Sequence, residues 1–318
     1  MIISASRRTD IPAYYSAWFY NRIREGFVLV RNPMRFHQIS RINLSPDLVD
    51  GIVFWTKNPL PMLDRLNDLK DYMYYFQFTV TPYGKDVEPN LPLKADAIIS
   101  SFKRLSEKIG ADRIVWRYDP ILINARYQLP YHIRAFNKIA AELHDYTRKV
   151  TFSFIDEDYR GIKSNIKELS LLNFPLAARA ELSSRLAEIA ASHGLEIDAC
   201  AEPIELQQCG IKPARCIDDR LFAKLLGYPL RVNKDRTQRL KCGCAASVDI
   251  GMYNTCRNGC LYCYANYSRK AVEKNFTKHN PSSPLISGNA GTDDKISERV
   301  LKSCHETQLT LGNMSNVC

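Results

Sequence analysis

Three cysteines, Cys256, Cys260 and Cys263, fall within eight consecutive positions of the stretch CRNGCLYCYAN. One curved loop can bring thiolates at such short spacing to neighbouring corners of an iron–sulfide cubane without straining the backbone. Zinc also accepts close cysteines, usually as two pairs that complete a tetrahedron. A trio with no local fourth thiol suits a metal centre that keeps one position open for another molecule.

A second set lies nearby in the sequence. Cys242 and Cys244 flank one glycine in KCGCAAS, Cys200 closes a strand pattern, and Cys216, in ARCIDD, stands where a helix pattern begins. These four are candidates for a further metal site, with an iron–sulfur centre and zinc both open. Cys209 can replace Cys216 or be a buried inert thiol; Cys304 and Cys318 lie in a polar tail and read as bystanders. All ten cysteines follow position 199, which is not how a disulfide framework staples a chain, so reduced, ligating thiols are expected. No run approaches the roughly 20 apolar residues of a membrane span, and MIISASRRTD lacks the pattern of a secretory leader. The expectation is a cytoplasmic protein without membrane contact.

Charge is gathered around the thiols. Of a formal net charge of +10 over 318 residues, residues 231–280 carry +7, from ten Lys or Arg against Asp235, Asp249 and Glu273. Such a belt suits an anionic partner, nucleic acid included, and also offsets a thiolate-ligated cluster.

The elements that must position these residues alternate in type. Strand patterns occur at IISAS, GIVFWT, YYFQFTV, RIVWRY, KVTFSFI and LEIDAC, and amphipathic helix patterns at AWFYNRIREG, ADAIISSFKRLSEKIG, YHIRAFNKIAAELHDY and ARAELSSRLAEIAASHG. Alternation of this kind predicts an α/β fold with parallel strands, here a (β/α) barrel. Several strands end in a polar cluster and proline, RRTDIP, TKNP, TVTP, RYDP and CAEP, which reads as a capped entry into a helix. On a barrel these endings share the face that carries chemistry. That would gather Arg7, Arg8, Thr9, Asp10, Thr56, Lys57, Asn58, Thr81, Arg117, Asp119, Asp156, Cys200 and Glu202 on one rim. Residues 1–276 are read as this barrel with its cysteine-rich loops at 200–263, and residues 277–318 as a polar tail with one peripheral helix over DKISERVLKSCHETQL.

Cys-x3-Cys-x2-Cys with Tyr262 before the last cysteine resembles the signature of the radical S-adenosylmethionine (radical SAM) enzymes. The resemblance implies a 4Fe-4S cluster on Cys256, Cys260 and Cys263, S-adenosylmethionine on its open iron, and an electron donor such as flavodoxin or ferredoxin. Over residues 1–276 the chain, with SASRRTDIPAYY, FWTKNP, WRYDP and CGCAASVDIGMYNTCRNGCLYCYAN, is similar to DUF1848, an uncharacterised bacterial family defined as a domain of unknown function. Most radical SAM enzymes carry the cluster loop after their first strand, so the late position implies a circularly permuted core in which SVDIGMYN fills the first place and Ile2 to Ser6 the second. The Gly-Gly-Glu-like stretch that contacts the cosubstrate is missing. SRRTD substitutes for it by position: Ser6 belongs to this cofactor contact, Asp10 would reach the amino group of S-adenosylmethionine, Arg7 or Arg8 its carboxylate, and Tyr262 completes the pocket. Resemblance to members with auxiliary clusters favours a second 4Fe-4S centre at Cys200, Cys216, Cys242 and Cys244, with zinc as the competing metal.

The six histidines show no ligand spacing, and no phosphate loop or serine elbow is present. Trp55 and Trp116 could stack on a base or fill the interior. The reading is an iron–sulfur enzyme that cleaves S-adenosylmethionine reductively to start radical chemistry on a small-molecule substrate. CLYCYAN and the basic belt are also similar to DNA photoproduct lyases, which keeps nucleic acid as a substrate; a zinc-stabilised nucleic-acid-binding module without radical catalysis is the alternative.

Overall fold

A computed structural model describes residues 1–91, 95–158, 160–163, 165–202, 206–239 and 241–305. Its strands are β1 (Ile2–Ala5), β2 (Phe27–Arg31), β3 (Gln38–Asn43), β4 (Gly51–Thr56), β5 (Tyr74–Thr79), β6 (Ile114–Ile121), β7 (Lys149–Phe154), β8 (Glu196–Ala199), β9 (Lys212–Pro213), β10 (Val248–Asp249) and β11 (Lys295–Glu298). Eight of them form one sheet in the order β10-β1-β4-β5-β6-β7-β8-β9, and every neighbouring pair is parallel. The α/β expectation is therefore met.

Closure of a barrel is not. Among the described residues β9 and β10 each pair on one side only, so the sheet stays open between its two shortest strands. Irregular chain fills this seam instead: Ala245 N donates to Ile217 O and Asp235 N to Cys244 O. The segments that follow β9 and precede β10 are thereby tied without a ladder.

Alternation along the strands divides the core. Ile3, Phe54, Phe76, Trp116 and Phe152 pack with the helices, whose apolar stripes at Ala95–Ile109, Leu129–Leu143 and Leu176–Ser192 supply Phe102, Phe136 and Leu186. Ile2, Val53, Tyr75 and Val115 face the other way, into a smaller cluster with Phe222, Cys216, Cys242 and Cys244. Phe222 comes from the helix Asp219–Leu226, capped by the Asp218 carboxylate. Its ring fills the space above Gly51, where a Cβ would stand 2.2 Å from it.

Several local readings change. Residues 27–43 form a hairpin that the apolar pattern did not reveal, because its buried positions, Val28 and Leu29 on one strand and Ile39 and Ile42 on the other, do not alternate. β11 adds to it in parallel, so Lys295–Glu298, expected within a peripheral helix, is a strand. The polar tail packs down as well. Trp18 Nε1 donates to Ser283 O at 2.9 Å, Leu285 is buried with Leu29 and Ile39, and Arg31 pairs with Asp294 at 2.6 Å. RYDP does not open a helix: Asp119 and Pro120 lie within β6, at an irregularity in its pairing with β7. Proline follows the strand as expected in RRTDIP, where Asp10 accepts from Ala13 N and Pro12 sits in the first turn. Pro203 of CAEP and Cys318 lie outside the described residues. No helix among the described residues is long and apolar enough to cross a membrane.

Candidate metal and cosubstrate site

A cavity of about 290 Å³ opens at the carboxyl ends of the parallel strands. Its wall takes Arg7, Arg8, Thr9 and Asp10 after β1, Thr56 at the end of β4 and Lys57 just after it, Arg117 and Asp119 on β6, Ser153 on β7, and Cys200 after β8. Both cysteine sets line it: Cys256, Cys260 and Cys263 with Tyr262, and Cys200, Cys216, Cys242 and Cys244. Ligands of open α/β sheets bind at this end because the strand-following loops converge there. Asn58, Thr81 and Glu202 of the expected rim are not in this wall. Glu202 accepts from Phe154 N at 2.9 Å and lines a smaller neighbouring cavity, where burial pushes its pKa up to about 7.

The trio follows β10. Asp249 pins that strand to β1, accepting from Ser4 Oγ at 2.7 Å, Ser6 Oγ at 2.6 Å and Arg7 N at 2.9 Å. The cysteine loop is then held on several sides. Tyr15 Oη donates to Thr255 O at 2.7 Å, Tyr14 Oη to Asn258 Oδ1 at 2.8 Å, and Leu261 N to Val87 O at 3.0 Å. Gly259 has φ +67, and a Cβ there would lie 2.7 Å from Asn90 Nδ2, so the turn between Cys256 and Cys260 needs glycine.

Each thiol of the trio has a positive partner. The amides of Asn258 and Asp10 donate to Cys256, those of Ala265 and Asn266 to Cys263, and the Lys57 ammonium lies beside Cys260. Burial nevertheless dominates, raising Cys256 to about 12 and Cys260 and Cys263 above the ordinary thiol value. A metal would have to displace those protons. Burial also works against the Lys57 ammonium, but Glu88, Cys260 and Asp10 outweigh it and its pKa stands above the ordinary value. One oxygen of Glu88 accepts from Lys57 Nζ at 2.8 Å, from Thr81 Oγ1 at 2.7 Å and from Tyr262 Oη. Glu88 escaped sequence reasoning because it sits in a loop without periodicity.

Asp10 is enclosed by protein donors. Its carboxylate accepts from Ala13 N at 3.1 Å, Thr56 Oγ1 at 2.8 Å, Lys57 N at 2.9 Å and Asn258 Nδ2 at 3.1 Å. Burial raises its pKa and these donors oppose the rise. With four protein donors already placed, Asp10 joins the ends of β1 and β4 to the cysteine loop. Ser6 likewise bonds inward to Asp249. Arg7 extends away from the trio, toward Asp235 at 3.5 Å and the charges of Cys244 and Cys216, whereas Arg8 lies in the wall over the Tyr253 ring at 4.7 Å.

The second set is a row of touching thiols. Cys200 Sγ is 3.3 Å from Cys216 Sγ, Cys216 is in thiol contact with Cys244, and Cys244 with Cys242. The Cys200 and Cys244 thiols and the Arg117 guanidinium lower the pKa of Cys216, and a hydrogen bond from Cys244 lowers Cys242 to about 6. Cys216 lies in the loop two residues before the Asp218 cap, so the helix expected to begin at Cys216 starts three residues later, at Asp219. Cys209 is elsewhere, in a short turn packed on the main core. Among the described residues no three His, Cys, Asp or Glu side chains converge on a point at coordination distance.

A family model matches residues 2–265, the whole span from β1 through the cysteine loop. The chain belongs to the DUF1848 family. The description of that family is a domain of unknown function, and no curated protein matches the chain. The DUF1848 match includes both cysteine sets and the cavity between them but ends before the tail that buries Trp18.

Proposed function

We propose that this DUF1848 protein is an iron–sulfur enzyme of the radical SAM type. The observation that carries the reading is the donor set of the trio: three sulfurs on one loop at a cavity mouth, Cys260 buried and Cys256 and Cys263 half-buried, each provided with an amide or ammonium partner. Hydrogen bonds and charges of this kind hold and tune thiolates that ligate an iron–sulfur cluster. Cys256, Cys260 and Cys263 would hold a 4Fe-4S cluster. Such a cluster would supply the electron for reductive cleavage of S-adenosylmethionine to a 5'-deoxyadenosyl radical.

The remaining work falls to the chain. Lys57, fixed by Glu88, offsets thiolate charge at Cys260. Arg8 in the wall offers a guanidinium to the cosubstrate carboxylate, while Asp10 keeps the loop in place rather than touching it. Tyr262, buried with its hydroxyl on Glu88, seals the cavity beside Cys260 against water. The order β10-β1-β4 supports a permuted core: the strand that precedes the cysteine loop stands outside the first strand of the chain.

The substrate on this reading is a small molecule entering the cavity, and flavodoxin or ferredoxin the electron donor. The test is release of 5'-deoxyadenosine from anaerobically reconstituted protein given dithionite and S-adenosylmethionine. Release is expected from the unaltered chain and should fall at least about a hundredfold on Cys260→Ala. Colourless protein carrying zinc at the trio would instead establish the zinc-stabilised module, for which salt-sensitive retention of DNA or RNA is the matching observation.

A further inference from the structure

We infer that Cys200, Cys216, Cys242 and Cys244 bind a single thiophilic metal ion of the zinc or iron class, which staples the open seam of the sheet. The inference is independent of what the trio does.

Position is the first ground. The sheet is open between β9 and β10, and Cys216 and Cys244 are the chain neighbours of Ile217 and Ala245, which bond across that opening, with all four thiols in one buried cluster. Cys200 and Cys216 flank the β9 side, and Cys242 and Cys244 lead into β10. Where other neighbouring strands are joined by ladders, these segments share only scattered backbone bonds, such as Ala245 N to Ile217 O. An ion held from both sides supplies the missing cross-link, because binding free energy at a site formed only on folding is folding free energy.

Spacing is the second. Thiolates about 2.3 Å from a tetrahedral ion lie about 3.8 Å from one another. Cys200 and Cys216, at 3.3 Å, are near that separation, and the other neighbours in the row are also in contact. A cubane holds each thiolate on a different iron and spreads them beyond contact. Binding asks the row to wrap round the ion by turning thiol rotamers.

The third ground is the set of donors aimed at the sulfurs. Arg117 gives Nε to Asp119 at 3.0 Å and Nη1 to Cys216 Sγ at 3.0 Å. Arg239, paired with Asp156 at 3.3 Å, reaches Cys200 Sγ at 3.9 Å. Arg7 Nη2 is buried in the same wall without a hydrogen-bond partner. The Cys216 carbonyl is fixed too, by Tyr75 Oη and Gln77 Nε2, each at 2.8 Å. Thiols and disulfide sulfurs are weak acceptors, whereas metal-bound thiolates remain good ones, so oriented guanidinium donors fit a ligated site.

The experiment uses the full chain with Cys256→Ser, Cys260→Ser and Cys263→Ser, so that the trio contributes nothing. Cobalt(II) added to the reduced protein is expected to give thiolate-to-cobalt charge-transfer and tetrahedral ligand-field bands at about one ion per chain, displaced by zinc and accompanied by a higher melting temperature. Adding Cys244→Ser should weaken cobalt binding more than about tenfold. Should these variants not fold, the unaltered chain is alkylated with and without cobalt and mapped by mass; protection of Cys200, Cys216, Cys242 and Cys244 together is expected. Absence of thiolate bands and of protection, a Cys200–Cys216 disulfide, or metal uptake by the quartet only when sulfide accompanies iron would overturn the inference. None of these outcomes depends on deoxyadenosine release, so its failure and that of the radical reading are separable.

Discussion

Asp10 shows how one buried carboxylate can tie together the elements that build a site. Its carboxylate takes hydrogen bonds from two backbone amides and two side chains, on β1's helix, the end of β4 and the cysteine loop. Asp10→Ala strands several buried donors and removes a helix cap, each worth about 1–2 kcal/mol. A loss of about 2–4 kcal/mol in urea denaturation is expected, with metal content of the trio falling in parallel. An unchanged midpoint would mean that the three connections are redundant. Arg7 teaches the complementary lesson: it turns toward Asp235, Cys244 and Cys216, while its neighbour Arg8 lies over the Tyr253 ring.

Among the elements, β6 and the helix Leu129–Leu143 meet at His132. Its Nδ1 accepts from Tyr118 Oη at 2.8 Å and its Nε2 donates to Leu122 O at 2.9 Å, which requires the neutral ring. Burial lowers its pKa from 6.5 to about 4. An unfolded chain therefore takes up a proton that the native one refuses as pH falls below 6.5, and stability drops until about pH 4, where both states are protonated. Between neutral pH and about 4.5 this removes about 2–3 kcal/mol. Comparing urea midpoints at the two pH values, His132→Gln should show that much less pH dependence than the unaltered protein; an identical slope would exclude His132 as the source. The helix and strand were legible in the periodicity. The imidazole's role was not, because its partners come from residues 10 and 14 positions away and only the fold aims them.

For the whole molecule, the tail is part of the body despite its composition. Ser283, Leu285, Ile286 and Ser287 are buried, and Leu285 covers Leu29 and Ile39. Ending the chain at residue 278 uncovers these and removes β11 from the hairpin. Burial of each large apolar side chain is worth about 1.5–3 kcal/mol, so a loss of about 3 kcal/mol or more in unfolding free energy, or outright aggregation, is expected. A shortened chain with the same urea midpoint would restore the reading of a dispensable linker. Polar, Pro- and Gly-rich composition signalled the absence of helix correctly over residues 280–294, yet it could not report which few side chains turn inward.

The sequence alone determined the strand and helix alternation, hence parallel pairing, and the trio's close spacing, because both follow from local periodicity and the reach of a short loop. It also placed most of the rim, since the residue after a strand inherits that strand's direction. Tertiary structure decided what lies far apart along the chain: that β10 stands beside β1, that the sheet stays open at β9, that Asp10 is saturated and Glu88 recruited, and that four thiols from three loops meet in the seam. Those contacts join residues separated by up to about 250 positions, and no local pattern encodes which distant partner a buried polar group will find.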